Sequence, residues 1–82
     1  MEELVRYIVT KLVDNENEVK IESTRMGDEI NIMVTVAPDD VGKVIGKNGR
    51  IAQSIRAIVK SVSVKEKIRY NAVFGANLSD YI

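Results

Sequence analysis

Residues 44–51 read Val-Ile-Gly-Lys-Asn-Gly-Arg-Ile, and this run indicates the fold more strongly than any other part of the chain. Apolar, helix-compatible residues lie on both sides of its Gly-x-x-Gly stretch at 46–49. Lys47 and Asn48 stand between the two glycines, and Arg50 follows. Glycine lacks a Cβ, so the backbone can turn tightly and a ligand can approach it closely. The run therefore predicts two helices joined by a basic loop that binds an anion such as a phosphate.

Three periodic segments precede the loop. Apolar residues recur at four-residue spacing over residues 2–14, which predicts an amphipathic helix. Apolar and polar residues alternate over 18–24 and again over 29–36, as expected of two strands that each have one buried face. The turn-forming residues at 26–28 make the connection short, so the two strands are predicted to form a hairpin.

The chain then enters the first of two further helices. Pro38 cannot continue a central strand, and its fixed φ suits the entry to a helix. Asp39 and Asp40 follow as cap and first-turn acids. They predict a short helix over residues 40–45, which leads directly into the glycine loop.

One helix and one strand follow the loop. Apolar residues at helical spacing, among them Ile55 and Ile58, predict an amphipathic helix that ends near Ser63. The solvent side of this helix carries polar and basic residues. Alternation over residues 68–74 predicts a third strand, which Gly75 is expected to end.

These elements define the fold class. Their order is helix, strand, strand, short helix, long helix, strand, or αββααβ. Three helices with single apolar stripes can cover one face of three strands, so we expect an α+β two-layer sandwich. The last strand returns to the hairpin through both later helices, so the three-stranded sheet should be mixed, while the strand order stays open. Residues 1–75 are predicted to form a single domain and residues 76–82 a short C-terminal tail.

Charge is unevenly distributed, although the formal net charge is zero. Residues 1–40 carry four basic and ten acidic side chains. Residues 41–71 carry eight basic side chains and one acidic side chain. The loop lies in the basic part, as expected of an anion-binding face. The alternative is a solvated helix surface that is rich in lysine and arginine.

The candidate site is centred on the loop. Lys43, Lys47 and Arg50 supply positive charge around the loop. The helix that follows adds to it, because its first backbone N–H groups are directed at the loop. Gly42 is either a ligand contact or a glycine required for packing. The predicted nucleic-acid-binding residues are Gly42, Lys43, Gly46, Lys47, Asn48, Gly49 and Arg50.

Composition argues against several other classes of site. The chain has no cysteine and no histidine, so disulfides are excluded and the commonest metal ligands and general base are missing. The glycine patterns of nucleotide-binding loops are absent as well. We therefore expect no metal, no cofactor and no enzymatic activity. No apolar run approaches the length of a membrane span, and the acidic N-terminus is unlike a signal peptide, so we expect a cytoplasmic protein.

Within this element order, the run from Val44 to Ile51 resembles the Gly-x-x-Gly motif of the KH domain, a single-stranded nucleic-acid binder. An extra helix and strand at the N-terminus make the order similar to the type II, prokaryotic arrangement. Residues 36–47, Val-Ala-Pro-Asp-Asp-Val-Gly-Lys-Val-Ile-Gly-Lys, extend the resemblance to the small stand-alone KH proteins of bacteria, the KhpA/YlqC family. So does an N-terminal helix reading Glu-Leu-Val-x-Tyr-Ile-Val. The resemblance covers about residues 2–74.

The resemblance implies an RNA-binding protein whose loop clamps the backbone of about four unpaired nucleotides. It also implies a role as an RNA chaperone or post-transcriptional regulator, with a second KH-containing protein or a second copy of the chain, as a homodimer, for a partner. The alternative is a KH-like dimerisation or scaffold module that works mainly through protein partners. The loop favours RNA binding, because an interface turn needs neither Lys47 nor Arg50.

Overall fold

The computed structural model describes residues 1–76, which form a three-stranded sheet with helices packed against one face. The predicted α+β class and αββααβ order are confirmed. The elements are α1 (Glu2–Leu12), β1 (Lys20–Met26), β2 (Glu29–Val36), α2 (Val41–Ile45), α3 (Arg50–Glu66) and β3 (Arg69–Ala76). No helix within this part of the chain is both long and apolar enough to cross a membrane. The division into a domain at 1–75 and a tail at 76–82 stays a prediction, and residues 77–82 lie outside the described part.

The central strand of the sheet is β2. β1 pairs with it in antiparallel orientation, with Ile21 opposite Val34, and β3 pairs with it in parallel, with Ala72 opposite Ile32. The predicted mixed sheet is thus confirmed, and the structure adds the strand order β1-β2-β3. A parallel pair requires a crossover connection, which α2 and α3 supply. As a result, β3 forms a sheet edge beside α3.

A single hydrophobic core lies between the inner face of the sheet and the helices. Alternate residues of each strand meet the apolar stripe of each helix there. The apolar side chains with no exposed surface are Val5, Val9, Ile32, Val34 and Val36. The opposite face of the sheet is open, and Met33 and Val73 are 43% and 45% exposed on it.

Both long helices end at positions that differ from the predicted ones. α1 ends before Val13, which is extended with φ −94° and ψ 157°. α3 continues past Ser63 to Glu66, and Lys67 closes it in the left-handed conformation with φ 61°. The N–H of Ile68 then donates to the Ser63 carbonyl at 3.1 Å, the hydrogen bond of a Schellman motif. Such ends depend on single residues that helical periodicity does not reveal.

The buried stripe of α3 and the end of β3 also differ from the prediction. Ile55 and Val59 are buried, whereas Ile58, which we expected in the core, is 43% exposed. Neighbouring helix residues lie about 100° apart, so only one of the pair at 58 and 59 can face the sheet. β3 runs on through Gly75, which pairs with Thr35, so this glycine does not end the strand.

Candidate nucleic-acid interface

The loop at 46–49 joins α2 to α3 through a turn in which three residues have positive φ. The φ and ψ angles are 76° and 176° at Gly46, 58° and 26° at Asn48, and 73° and 15° at Gly49. Asparagine tolerates this region better than most residues, because its short side chain can hydrogen-bond locally. The Gly49 N–H donates to the Gly46 carbonyl at 3.2 Å and closes the turn. Lys47 and Asn48 are both exposed at its tip.

The two loop glycines are needed for different reasons. A Cβ on Gly46 would lie 2.6 Å from Cγ1 of Ile51, so this glycine is required for the turn to pack against α3. Its φ and ψ also belong to a region that is essentially confined to glycine. A Cβ on Gly49 would meet nothing within 4 Å. Open space that a ligand backbone could occupy therefore lies over Gly49, while the missing Cβ of Gly46 serves the fold.

Gly42 lies exposed on α2, and a Cβ there would also meet nothing within 4 Å. The interpretation of this residue as a packing glycine is therefore wrong. Val41 and Ile45 are half-buried, whereas Val44 is 1% exposed and belongs to the core. The surface of α2 next to the loop is thus partly apolar and free of bulky side chains at Gly42.

The buried carboxylate of Asp40 ties α1 to α2. It is 0% exposed and accepts hydrogen bonds from the backbone N–H groups of Asp14 and Asn15, at 3.3 and 3.0 Å. The side-chain amide of Asn15 donates a further hydrogen bond at 3.0 Å. We expected Asp40 in the first turn of α2, with Asp39 as its cap, but this helix begins at Val41 with Asp40 at the N-cap position, and the Asp40 side chain makes no capping hydrogen bond to α2. Its carboxylate instead fixes the chain just after α1, which explains why that helix ends early.

Lys43 completes this cluster of charges. Its Nζ forms ion pairs with Asp14 and with Asp40, whose Oδ1 is 3.3 Å away. Burial alone would raise the pKa of the Asp40 carboxyl, but hydrogen bonds from Asn15, Asp14 and Lys43 outweigh it and lower the pKa from 3.8 to about 2. The hydrogen bonds to Asp14 and Asp40 raise the pKa of Lys43. Both groups are therefore ionised at neutral pH, and two carboxylates offset the charge of Lys43.

Lys47 and Arg50 are different, because neither forms an ion pair with another residue in the described part of the chain. Both are exposed. α3 is 17 residues long and presents the positive end of its dipole to the loop, whereas α2 has only five residues. The loop is therefore electropositive, and its two cations are available to an anion from solvent.

Arg56 contacts the sheet edge, an arrangement that the sequence analysis missed. Its Nε donates to the Ala72 carbonyl at 3.2 Å, and its guanidinium lies 5.4 Å from the centre of the Phe74 ring. The side chain therefore lies along β3 instead of extending freely into solvent. Only the pairing of β3 at the sheet edge brings these residues together, and no local pattern in the sequence signals it.

Of the seven predicted site residues, the structure places those of the loop and Arg50 together at the start of α3. Gly42 lies exposed on the adjoining helix. Lys43 lies on the same helix, but its ammonium group is directed to the carboxylates at the end of α1. A role in nucleic-acid binding stays a prediction for all seven.

Comparison with known proteins identifies close relatives. A family model described as the KH domain of KhpA/KhpB matches residues 2–73. The RNA-binding protein KhpA of Caldanaerobacter subterraneus is 51% identical over 69 residues, which cover 84% of this chain and 92% of that protein. The KhpA of Clostridium perfringens is 44% identical over 66 residues, or 80% and 88% of the two chains. That of Chlamydia trachomatis is 38% identical over 69 residues, or 84% and 88%. All three are named for RNA binding, not for a catalysed reaction, and no solved structure matches the chain significantly.

Proposed function

Because the chain belongs to the KhpA/KhpB family of KH domains, we propose that it binds single-stranded RNA through the loop at 46–49. The observation that carries this proposal is the geometry of the loop. Open space over Gly42 and Gly49 lies near two exposed cations, Lys47 and Arg50, that have no carboxylate partner among residues 1–76. The relatives' printed name, RNA-binding protein KhpA, supports the choice of RNA.

In this proposal the loop holds the backbone of about four unpaired nucleotides. Lys47 and Arg50 neutralise phosphates, and the positive end of α3 adds a fixed partial charge. The half-buried Val41 and Ile45 give bases an apolar surface. Phosphate contacts position a strand without reading its sequence, so base selectivity at this loop is modest.

A single four-nucleotide site binds weakly, so useful affinity requires a second site, a second copy or a partner. On the ground of the family resemblance alone, we propose a role as an RNA chaperone or post-transcriptional regulator acting in the cytoplasm. A homodimer or a complex with a second KH-containing protein would supply the additional contacts.

The direct test replaces Lys47 and Asn48 with aspartate in one variant. Two carboxylates would then face the RNA backbone, so binding should be lost. The fold should survive, because aspartate tolerates the left-handed conformation at 48 and both side chains are exposed. Binding of a short oligouridylate is measured by NMR titration, in which the spectrum also reports the fold.

The matched control is Arg6→Glu combined with Lys11→Gln, which makes the same change in net charge on the exposed side of α1. This variant should bind RNA nearly as well as the parent protein. If the Lys47→Asp/Asn48→Asp variant also bound RNA as well as the parent, the loop would not be the site.

The dependence of binding affinity on salt concentration gives the number of phosphates that the loop neutralises. Two contacts, from Lys47 and Arg50, give a slope of roughly −1.4 in log affinity against log salt. A third contact from Lys43 would make the slope about −2. The carboxylate partners of Lys43 favour the smaller value.

A second candidate function is a dimerisation or scaffold module, which the open face of the sheet favours. Met33 and Val73 are neighbours in the β2–β3 register and are 43% and 45% exposed. Apolar side chains exposed together are typical of a surface that binds a protein. The mass in solution, measured with and without RNA, separates the two candidates. Assembly that persists in the Lys47→Asp/Asn48→Asp variant would favour the scaffold function.

A further inference from the structure

α2 is too short to hold its own position beside the loop at 46–49. It spans five residues, Val41–Ile45, whereas helices shorter than about 12 residues are marginal in water on their own. α3, on the other side of the loop, has 17 residues. The direction of the backbone that enters the loop at Gly46 therefore depends on how the rest of the fold holds α2.

Different contacts hold the two ends of α2. Toward its C-terminal end, Val44 is buried in the hydrophobic core. Immediately before its first residue, the carboxylate of Asp40 accepts hydrogen bonds from the backbone N–H groups of Asp14 and Asn15, at 3.3 and 3.0 Å. Apolar contacts are non-directional, whereas hydrogen bonds weaken steeply when their angles change. The core therefore holds α2 in its layer, and the carboxylate fixes its orientation relative to α1.

The surroundings of the Asp40 carboxylate favour a positioning role over a capping role. Aspartate at an N-cap position usually accepts a hydrogen bond from its own helix, and Asp40 does not do so. Its carboxylate is directed at residues 14 and 15, which lie 26 and 25 positions earlier in the chain. Burial of an ionised group costs free energy unless donors and a cation compensate, and the side chains of Asn15 and Lys43 supply them here. The fold therefore keeps a charge buried where it joins the end of α1 to α2.

We infer that Asp40 is a positioning residue for RNA binding, whose carboxylate holds α2, and through α2 the loop, in the geometry that receives the RNA backbone. This inference rests on the proposed function and adds to it a residue that RNA cannot touch, because Asp40 is fully buried. Without the carboxylate, α2 takes several orientations, and only a fraction of the molecules present the loop correctly. The apparent dissociation constant then rises in inverse proportion to that fraction.

Three roles for Asp40 predict different results in the Asp40→Asn variant. Loss of a negative charge alone would strengthen the binding of RNA, because the removed charge repels phosphates. A role in stability alone would leave the affinity of the folded molecules unchanged. A positioning role weakens binding, since asparagine has a single acceptor oxygen and its NH2 group would face a backbone N–H of residue 14 or 15. The sign of the change in affinity therefore identifies the role.

The test measures binding of an oligouridylate of about four nucleotides to the full chain by NMR titration, at a temperature far below each melting temperature. Asp40→Asn should weaken binding about tenfold, as expected if about one molecule in ten presents the loop correctly. The slope of log affinity against log salt should stay at roughly −1.4, because the molecules that bind make the same phosphate contacts. Amide signals of Gly46 and Lys47 should shift or broaden in the free variant.

Ile32→Val is the control for lost stability. Ile32 is fully buried on the central strand β2, and removing one methylene group from it lowers the melting temperature. This variant should bind the oligouridylate as tightly as the parent protein. A loss of affinity in Ile32→Val equal to that in Asp40→Asn would show that any loss of stability weakens binding, and it would overturn the inference.

Asn15→Ala tests the same contact from its other side, at an exposed residue whose replacement leaves the fold intact. Loss of one hydrogen bond to Asp40 should weaken binding about threefold. The effect should be far smaller in the Asp40→Asn background, because residues in one hydrogen-bond network are coupled. Effects that simply add would overturn the inference. So would parent affinity in Asn15→Ala, a result that can be obtained even if Asp40→Asn fails to fold.

The proposed function is judged by a different variant. If Asp40→Asn bound the oligouridylate as tightly as the parent protein, or more tightly, the positioning role would be overturned and the loop site would stand. The loop site itself fails only if the Lys47→Asp/Asn48→Asp variant binds like the parent protein.

Discussion

A lysine lies on each side of Gly46, and the two lysines have different surroundings. On the α2 side, Lys43 is paired with Asp14 and with the buried Asp40. On the α3 side, Lys47 is exposed and has no ion-pair partner among residues 1–76. In a continuous helix, residues four apart share one face, so Lys43 and Lys47 would lie together. The turn at Gly46 separates them, which leaves one lysine to hold the fold and the other available to a ligand.

This comparison shows why a count of lysines near a motif overstates the site. The carboxylate of Asp40 is buried and needs a cation and hydrogen-bond donors to stay ionised. Lys43 meets part of that need, so its charge contributes to stability more than to an external ligand. The roles of Gly46 and Asp40 in the fold, and the different roles of Lys43 and Lys47, can each be tested by substitution.

The largest expected effect is the replacement of Gly46 by alanine. The new Cβ would be forced against Ile51 at 2.6 Å in a backbone conformation with φ 76°. Backbone strain and overpacking together should lower the free energy of unfolding by about 3 kcal/mol. Urea unfolding followed by circular dichroism measures this change.

Gly49→Ala is the matched control for that substitution. Gly49 also has positive φ, but a Cβ there would meet nothing within 4 Å. Strain alone should lower the free energy of unfolding by about 1 kcal/mol. Equal losses in the two variants would contradict the packing role that we assign to Gly46.

The second prediction concerns the stability of the fold at acid pH. The pKa of Asp40 is lowered from 3.8 to about 2 in the folded protein, so folding favours its ionised form. The stability that it contributes is complete above about pH 4 and is lost as the pH falls toward about 2. In Asp40→Asn this part of the pH dependence should disappear, and the variant should be less stable than the parent at neutral pH.

Thermal unfolding at several pH values between about 7 and about 2 checks the acid prediction. Asp39→Asn is the control, because Asp39 is exposed and adjacent in sequence. The slope of its melting temperature against pH should equal that of the parent protein in the acid range. If the Asp40→Asn variant had the same slope as the parent protein, another carboxylate would be responsible for the loss of stability in acid.

The smallest expected effect is the difference in RNA binding between variants of Lys47 and Lys43. Lys47→Gln should weaken binding of a short oligouridylate and reduce the magnitude of the salt slope by about 0.7, the share of one phosphate contact. Lys43→Gln should leave that slope unchanged and lower the melting temperature, because Asp40 loses its cation. A Lys43→Gln variant that lost a phosphate contact without losing stability would reverse the assignment.

Much of the fold could be predicted from the sequence, because its signals are local. Alternation identified β2 over 29–36 to the residue, and the Gly-x-x-Gly run correctly marked the junction of two helices. The errors arose where a single contact or a single residue, and not the periodic pattern, decides the result. α1 ends early because the chain after it donates hydrogen bonds to Asp40, which lies 26 residues beyond Asp14. Ile58 is exposed because only one of two adjacent apolar residues could face the sheet.

The sequence by itself determined the kind of backbone that each segment adopts and the place of the basic loop. Periodicity and glycine act over a few residues, so each segment carries that information independently of the segments that it packs against. Only the tertiary structure decided which charges are free. Lys43 is neutralised by a residue 29 positions earlier, and Arg56 lies against a strand 16 positions later. Ion pairs and clefts form between elements distant in sequence, so local pattern cannot distinguish a lysine that holds the fold from one that meets a ligand.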